Sequence, residues 1–338
     1  MEFYRDRFGR LSILRIGFPL YIIGGIAATY APGLTVMYAA RFVAGMGASA
    51  VFSTTIAGVR DRFVGDQMAR IMSFIFTIFL FTPVLAPFLG LAILSVASWR
   101  TVFLTPPLFA VIIFLWSLRL EESLPVEKRN PLDWQSIRTS ISKVLGNAVF
   151  MRYTAITTLL FSVLSSYVSS SEHIVGGIYG KPQLFAWIFA GIGLLMSICS
   201  LLNSYLSLRF GARQTVRWLL ICYAVVAGAL LAYTLLTQQL PNMFLFFAAV
   251  ALLLAINIAI EPNSSSLALE PMGNMAGIAS AVYGTIFFFV GATIGSIVSE
   301  LMVTSVIPIV ASFFIMGVIT LTLSVTDKRP MLKQAKAS

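Results

Sequence analysis

Ionisable side chains are rare inside the long apolar stretches of this 338-residue chain, and each one suggests charge or proton chemistry. Arg41 stands about eight residues into one stretch, roughly 10 Å from its edge at 1.5 Å of helix rise per residue. An arginine at that depth either extends outward to the membrane surface or faces water or a carboxylate. We predict that Arg41 faces a central cavity, with Glu172 as the best candidate partner.

Glu172 and the only histidine, His173, follow the polar run SYVSSS near the end of another apolar stretch. If the helix continues to Val175, both side chains lie at the depth of Arg41. If it stops at Ser171, they are ordinary loop residues. In the first case Glu172 is the predicted proton carrier, and His173 tunes it because imidazole titrates near physiological pH.

Glu261 is the third acidic candidate, and the pattern predicts that its helix ends there, just before Pro262. That depth corresponds to the inner membrane interface, where the carboxylate is either a solvated helix end or a proton site. The amides of Asn257 and Asn263 nearby would add polar contacts to a cavity.

Metal or enzyme chemistry has little basis in this composition. The two cysteines, Cys199 and Cys222, fall within apolar stretches and form no ligand pattern, so we interpret them as packing residues. One histidine and two unpaired cysteines supply neither a metal cluster nor a nucleophile–base pair. We therefore predict no metal, no cofactor and no enzymatic activity.

Membrane-spanning helices are the elements that position these residues. Hydrophobic residues make up 58% of the chain and charged residues 11%, with a mean hydropathy of +0.91, which excludes a soluble globular protein. Windows of about 20 residues without charge are long enough to cross a hydrocarbon core of about 30 Å. We predict an all-α polytopic membrane protein with ten spans, at 13–30, 34–58, 71–93, 100–118, 152–174, 184–206, 216–236, 242–261, 277–299 and 303–325.

The basic residues indicate how these spans are oriented. If the N-terminus is cytoplasmic, nearly all of the 23 Lys and Arg residues fall in inner segments, as the positive-inside rule requires. Both termini are therefore predicted to be cytoplasmic, in a bacterial inner membrane. The net charge of +10 then reflects topology in a lipid bilayer and does not indicate a nucleic-acid partner.

The spans form two groups. A half of four spans, 1–118, is separated by a cytoplasmic linker, 119–151, from a half of six spans, 152–325, and a basic tail follows at 326–338. The linker contains an amphipathic run that we expect to form a short helix on the inner membrane face, with apolar positions Leu132, Trp134, Ile137, Ile141, Val144 and Leu145.

Related segments occur in both halves. RDRFGRLSILR at 5–15 and SLRFGARQTVR at 207–217 share Arg-Phe-Gly, and QMARIMS at 67–73 is similar to NMAGIAS at 274–280. Internal repeats are typical of transporters whose halves rock about a central site. We therefore expect the turn with Arg209, Gly211 and Arg213 to have the same role as the related segment at 5–15.

Several motifs resemble those of the major facilitator superfamily, in the same order along the chain. DRFGR at 6–10 resembles its cytoplasmic loop motif, RFVAGMGAS at 41–49 its fourth-helix motif and TPVLAPFLG at 82–90 its fifth-helix antiporter motif. WRTVF at 99–103 and PNSSSLALEPMGNMAGIASAV at 262–282 are most similar to the Bcr/CflA-type drug exporters. The resemblance covers essentially the whole chain and implies the two-half helical bundle of that superfamily.

The resemblance also implies roles for two motifs. The charged turn of Asp6, Arg7, Gly9 and Arg10 would pair with helix ends, Asp61 being a candidate, and stabilise one of two alternating states. The alternative is a solvated positive loop. The segment with Pro83, Pro87 and Gly90 would seal the pathway between the halves, the alternative being a generic kink.

Together these features predict a secondary transporter that exports small hydrophobic or amphipathic compounds in exchange for protons by alternating access. No G-x-x-x-x-G-K-[ST] segment occurs, which argues against an ATP-driven pump. The alternatives are a major-facilitator carrier of a metabolite and a non-transporting remnant.

The position of the loop motif raises a further expectation. In the superfamily this loop follows the second helix, whereas here it begins the chain, with Glu2 and Tyr4 at the motif's usual Gly and Leu positions. We expect a 4 + 6 arrangement without the first two helices and an open groove beside Arg41. The alternatives are that a partner chain fills this groove or that the true start lies upstream.

Overall fold

The computed structural model describes residues 9–63, 65–122, 134–237, 239–302 and 305–327, and within these ranges the regular structure is helical throughout. Helices satisfy their backbone hydrogen bonds internally, which is why an apolar chain in lipid adopts them. The prediction of an all-α polytopic protein is confirmed. Its contacts divide it into two compact units, Met1–Trp134 and Gln135–Ser338.

The first unit contains four long helices: α1 (Arg10–Thr29), α2 (Leu34–Arg62), α3 (Gly65–Leu94) and α4 (Trp99–Ser117). α1 lies at its centre and packs along α2 and α4, whereas α3 makes fewer contacts, with α4 and α2.

Small residues allow α1 and α2 to approach closely. A Cβ at Gly24 would lie 2.5 Å from the Ala44 nitrogen, and one at Gly47 would lie 2.4 Å from the Tyr21 nitrogen. No larger residue fits these two positions without moving the backbone. The Gly-rich face of RFVAGMGAS therefore serves helix packing inside this unit.

The short helix α5 (Trp134–Leu145) starts at the boundary of the two units, and all of it after Trp134 belongs to the second unit. Five long helical segments follow, in the order α6 (Ala148–Glu172), α7 (Phe185–Phe210), α8 (Ala212–Thr237), α9 (Met243–Leu269), and α10 (Ala276–Thr285) continued by a π-helical turn and α11 (Gly291–Glu300). The last helix is α12 (Ile307–Val325).

The core of the second unit lies around α6 and α9. α6 packs against α11, α9 and α12, while α9 also packs against α7 and α8. Tyr153, Leu160, Phe246, Leu253 and their neighbours are almost fully buried in one continuous apolar cluster. Because α6 and α9 are covered by protein on most sides, the unit has a well-defined interior.

Helix α5 is the amphipathic segment of the linker. Ile137 and Val144 are buried, Val144 within the main core of the second unit, and Leu145 is exposed. Its apolar side is therefore covered by protein at Ile137 and Val144, where the sequence predicts contact with the membrane face. Leu132 lies outside the described residues.

The described residues contain nine helical segments that are long and apolar enough to span a membrane. The predicted span at 71–93, which is not among these nine, falls within α3. The helix predicted at 152–174 continues to Ile178, and the one predicted at 242–261 continues to Leu269.

Candidate functional site

Gly9 forms the first Arg-Phe-Gly turn with a φ of 89° and a ψ of 162°. Only glycine adopts that region readily. Arg10 starts α1 directly afterwards, and its Nε donates to Asp61 Oδ2 at 2.8 Å. Asp61, near the end of α2, therefore pairs with Arg10 beside this turn. Asp6 and Arg7 lie outside the described residues.

The carboxylate of Glu122 holds the first turn of α1, a role that the sequence-based predictions do not include. Its Oε1 accepts a hydrogen bond from the Arg10 backbone nitrogen at 2.8 Å, and its Oε2 accepts one from the Leu11 nitrogen at 3.2 Å. These nitrogens have no partner within the helix, and a negative charge also suits the positive end of the helix dipole. The acidic pair after α4 is the sequence signal that points to this cap.

Arg41 lies exposed on α2, with its guanidinium carbon 5.8 Å from the centre of the Phe103 ring on α4. The negative face of an aromatic ring attracts a cation at this distance. Phe103 thus provides one stabilising contact for an arginine in a span. Glu172 belongs to the other unit, so its pairing with Arg41 stays a prediction.

Pro83, Pro87 and Gly90 all lie in α3, which continues through them without a break. Membrane helices tolerate proline where neighbouring groups compensate for the lost hydrogen bond. A Cβ at Gly90 would have no described atom within 4 Å. The sealing role of this segment stays a prediction.

Glu172 is the last residue of α6, and the chain continues in a π-helical turn over His173–Ile178. The helical backbone therefore passes Val175, which is the condition under which Glu172 and His173 belong to the span. Both side chains are exposed, while Ile174 and Val175 are buried and anchor the turn. Such π-helical turns are frequent at functional sites.

The helix predicted to end at Glu261 runs on through Pro262 to Leu269. Proline removes one backbone hydrogen bond, and packed membrane helices can absorb that loss. Glu261 is therefore about 12 Å from the helix end at 1.5 Å per residue, so the prediction of a helix end is wrong. Its half-buried carboxylate accepts a hydrogen bond from Tyr283 Oη at 3.2 Å.

Asn257 and Asn263 are buried and join α9 to its neighbours. Asn257 Nδ2 donates to the Leu160 carbonyl oxygen on α6 at 2.8 Å. Asn263 Nδ2 donates to Asn203 Oδ1 on α7 at 2.7 Å, and Asn263 Oδ1 accepts from Ser207 Oγ. These amides bind other helices, where the sequence predicts contacts with a cavity, because a buried polar group in lipid needs a partner nearby.

The second Arg-Phe-Gly turn has nearly the same backbone as the first. Gly211 has a φ of 79° and a ψ of 149° and separates α7 from α8. Arg209 lies over the ring of Phe210 at 5.4 Å, and Arg213 Nε lies 3.4 Å from Asp327 Oδ2. The two related segments thus share their glycine geometry.

Asp327, directly after α12, is only 1% exposed. Its Oδ2 accepts a hydrogen bond from Tyr153 Oη at 2.9 Å, and its Oδ1 lies 3.7 Å from Arg152 Nη1. Arg217 Nη2 donates to the backbone carbonyl oxygen of Asp327 at 2.6 Å. This buried cluster joins the ends of α6, α8 and α12, and the sequence-based predictions do not include Asp327.

An apolar cavity of about 440 Å³ lies within the first unit. It is lined by residues of all four helices, with Tyr21 and Thr55 among its few polar members. Aromatic and aliphatic walls with few polar groups suit small hydrophobic ligands. Its walls include Phe18, Phe52, Ile75, Phe109 and Ile113.

A helical membrane protein with two units, each carrying the same turn, has the construction of a secondary transporter. The sequence pattern of the Major Facilitator Superfamily matches residues 2–295. The chain belongs to this superfamily of membrane transporters.

Two relatives match 93% of this chain and 78% of their own length. One is an uncharacterized MFS-type transporter, YdgK, of Bacillus subtilis, 29% identical over 330 residues. The other is a bicyclomycin resistance protein homolog of Haemophilus influenzae, 27% identical over 319 residues. The proton:xylose symporter XylE shares the fold, with a TM-score of 0.69 over 95% of this chain and 80% of that structure at 14% identity.

Proposed function

We propose that this protein exports small hydrophobic or amphipathic compounds across a bacterial inner membrane in exchange for protons. The observation that carries the proposal is the similarity, along 93% of the chain, to a relative named for bicyclomycin resistance. The apolar cavity of the first unit supports it, because a wall with few polar groups accepts hydrophobic compounds of varied shape.

Transport would proceed by alternating access, with both termini on the cytoplasmic side. In this mechanism the Arg10–Asp61 pair stabilises one of the two states, and its partial exposure lets it open at small cost. Arg41 contributes a positive charge to the pathway. Glu172 carries the proton, and His173 beside it adjusts the affinity of the carboxylate for that proton.

Drug–proton exchange by the purified full chain in proteoliposomes tests the proposal directly. An imposed pH gradient should drive uptake of a hydrophobic drug into inside-out vesicles, and dissipating the gradient should stop it. Resistance to the same drug in a bacterial host without its own exporters should accompany this activity. An inserted, folded chain that moves no drug in either assay would contradict the proposal.

Arg41→Ala tests the predicted pathway charge. We expect loss of transport with normal membrane insertion, because the proposed pathway loses its positive charge and α2 loses the contact of Arg41 with Phe103. Arg100→Ala is the matched control, since Arg100 is also exposed and lies over an aromatic ring, that of Trp99, at 4.7 Å. Equal transport by both variants would contradict the proposed role of Arg41 in the pathway.

Glu172→Gln tests proton coupling. Drug should then equilibrate without responding to the pH gradient, because the amide cannot bind and release a proton. Glu300→Gln is the control, since Glu300 is an exposed carboxylate at the end of α11. Unchanged pH-driven export by Glu172→Gln would refute the assignment of the carrier.

A further inference from the structure

Glu261 places a carboxylate in the interior of a membrane helix. It lies on α9 about 12 Å from the end at Leu269, at 1.5 Å of rise per residue. The partners that the structure gives it are the hydroxyls of Tyr283 and Ser265, neutral groups that solvate the charge without balancing it. No ion pair to Glu261 occurs among the residues that the structure describes. An unbalanced carboxylate at such a depth is costly and points to a ligand.

Aromatic rings continue from this carboxylate along the next helix. The ring of Tyr283 is stacked on that of Phe287, with centroids 5.7 Å apart and planes inclined by 13°. Phe287 in turn contacts Phe161 of α6, with centroids 4.5 Å apart. The carboxylate of Glu261 therefore stands at one end of a row of rings, and the faces of such rings attract cations.

The backbone around Phe287 departs from regular helix geometry. Residues Ile286–Val290 form a π-helical turn that joins α10 to α11. A π-helical turn within a helix is rare, and it is frequently found at functional sites. A Cβ at Gly291, the residue after this turn, would lie 2.7 Å from the Phe161 ring, so the glycine leaves room for that ring.

We propose that Glu261 and the rings of Tyr283, Phe287 and Phe161 bind the charged centre of a hydrophobic organic monocation, such as a quaternary phosphonium or ammonium compound. The inference rests on the proposed export function and names a substrate class for it. One carboxylate balances one positive charge, and the rings contact the apolar groups that surround it. A small inorganic cation would instead need about six oxygen ligands, which this site does not supply.

Binding by the purified full chain in lipid nanodiscs tests the site. The probes are radiolabelled tetraphenylphosphonium, which carries a permanent charge, and chloramphenicol, which is neutral. Glu261→Gln should weaken phosphonium binding by about tenfold or more, because the amide keeps the shape and loses the charge. The same variant should leave chloramphenicol binding unchanged, and that retained binding also reports that the variant is folded.

Phe287→Leu separates the aromatic contribution from the charge. It should weaken phosphonium binding by about threefold or more, within the range of a cation–ring contact. Phe289→Leu is the matched control, since Phe289 lies in the same π-helical turn and is 70% exposed. It should bind phosphonium as the wild-type protein does.

The outcomes distinguish this inference from the proposed function. Chloramphenicol binding together with no phosphonium binding, or with phosphonium binding that Glu261→Gln leaves unaltered, overturns the organic-cation site alone. Equal losses for both probes in Glu261→Gln also overturn it, because the site would then be structural. Binding of neither probe to the wild-type chain overturns both the site and the export proposal.

Discussion

The two Arg-Phe-Gly turns share a backbone and differ in their electrostatic surroundings. Gly9 and Gly211 have nearly equal dihedral angles, and a helix begins immediately after each. At the first turn, Arg10 pairs with Asp61, whose side chain is 23% exposed. At the second, the carboxylate that Arg213 approaches is Asp327, whose side chain is 1% exposed and also bound by Tyr153.

This difference separates conformation from energetics. The turn itself requires only a glycine with positive φ, which both segments provide. The contribution of a charge pair to folding stability depends on how far water is excluded from it. A partly exposed pair contributes little, whereas removing one partner of a buried pair is strongly destabilising. We infer that the first turn is able to open during a transport cycle, whereas the second fixes the ends of α6, α8 and α12.

The helices that follow these turns show a similar contrast. α2 and α9 are each the second helix after a turn, yet 22% of the apolar window of α2 is buried compared with 56% for α9. α9 is therefore a central helix of its unit. On α2, Arg41 and the neighbouring Tyr38 and Phe42 are exposed. The open groove predicted beside Arg41 stays a prediction.

The largest expected effect comes from Asp327→Asn. It leaves Arg152 and Arg213 without their buried counter-charge, so we expect a loss of about 3–5 kcal/mol in the free energy of unfolding. Equilibrium unfolding in mixed micelles, followed by tryptophan fluorescence, measures it. A loss no larger than that of Asp61→Asn would show that burial does not distinguish the two turns.

Tyr153→Phe removes one hydrogen bond to the same carboxylate and leaves both arginines in place. A hydrogen bond to a charged group contributes about 1.5–3 kcal/mol, and we expect a loss of that size in the unfolding assay. Tyr223→Phe is a suitable control, because the Tyr223 hydroxyl is buried without a partner in the described structure. A similar loss in both variants would contradict a specific role for the Tyr153–Asp327 bond.

Gly9→Ala and Gly211→Ala test the shared backbone. Each should cost about 1–3 kcal/mol, because both glycines occupy a region that other residues enter only under strain. The two costs should agree closely, in contrast to the two aspartate substitutions. Gly33→Ala is the control, since a Cβ there meets no neighbour and its φ of −168° is extended. Markedly unequal costs would mean that the turns are not equivalent.

The smallest effect is expected for Asp61→Asn. Because the Arg10–Asp61 pair is partly exposed, its loss should change the free energy of unfolding by only about 0–1 kcal/mol. The variant should instead alter the balance of transport states, seen as changed cysteine-labelling rates at introduced reporter positions on the two membrane faces. Normal labelling with a large loss of stability would reverse the roles inferred for the two turns.

Local properties of the sequence were enough to predict the helices and both turns. Hydropathy identifies a membrane helix from its own residues, and a glycine within a charged loop indicates an unusual backbone without knowledge of its neighbours. The pairing near Arg10 was also within reach, because Asp61 stands at the end of the next helix on the same side. Pro262 misled the prediction for the opposite reason, since helix continuation through a proline depends on what surrounds it.

The partners of the polar groups were decided only by tertiary structure. Asp327 meets Tyr153 across 174 positions of sequence, and Glu122 caps α1 across 112. Asn257 reaches Leu160 across 97. In an apolar interior each such group must find a partner, but which group lies close enough depends on how the helices pack. Sequence therefore determined the helices and their membrane setting, and packing decided which charges are buried, paired or left for a ligand.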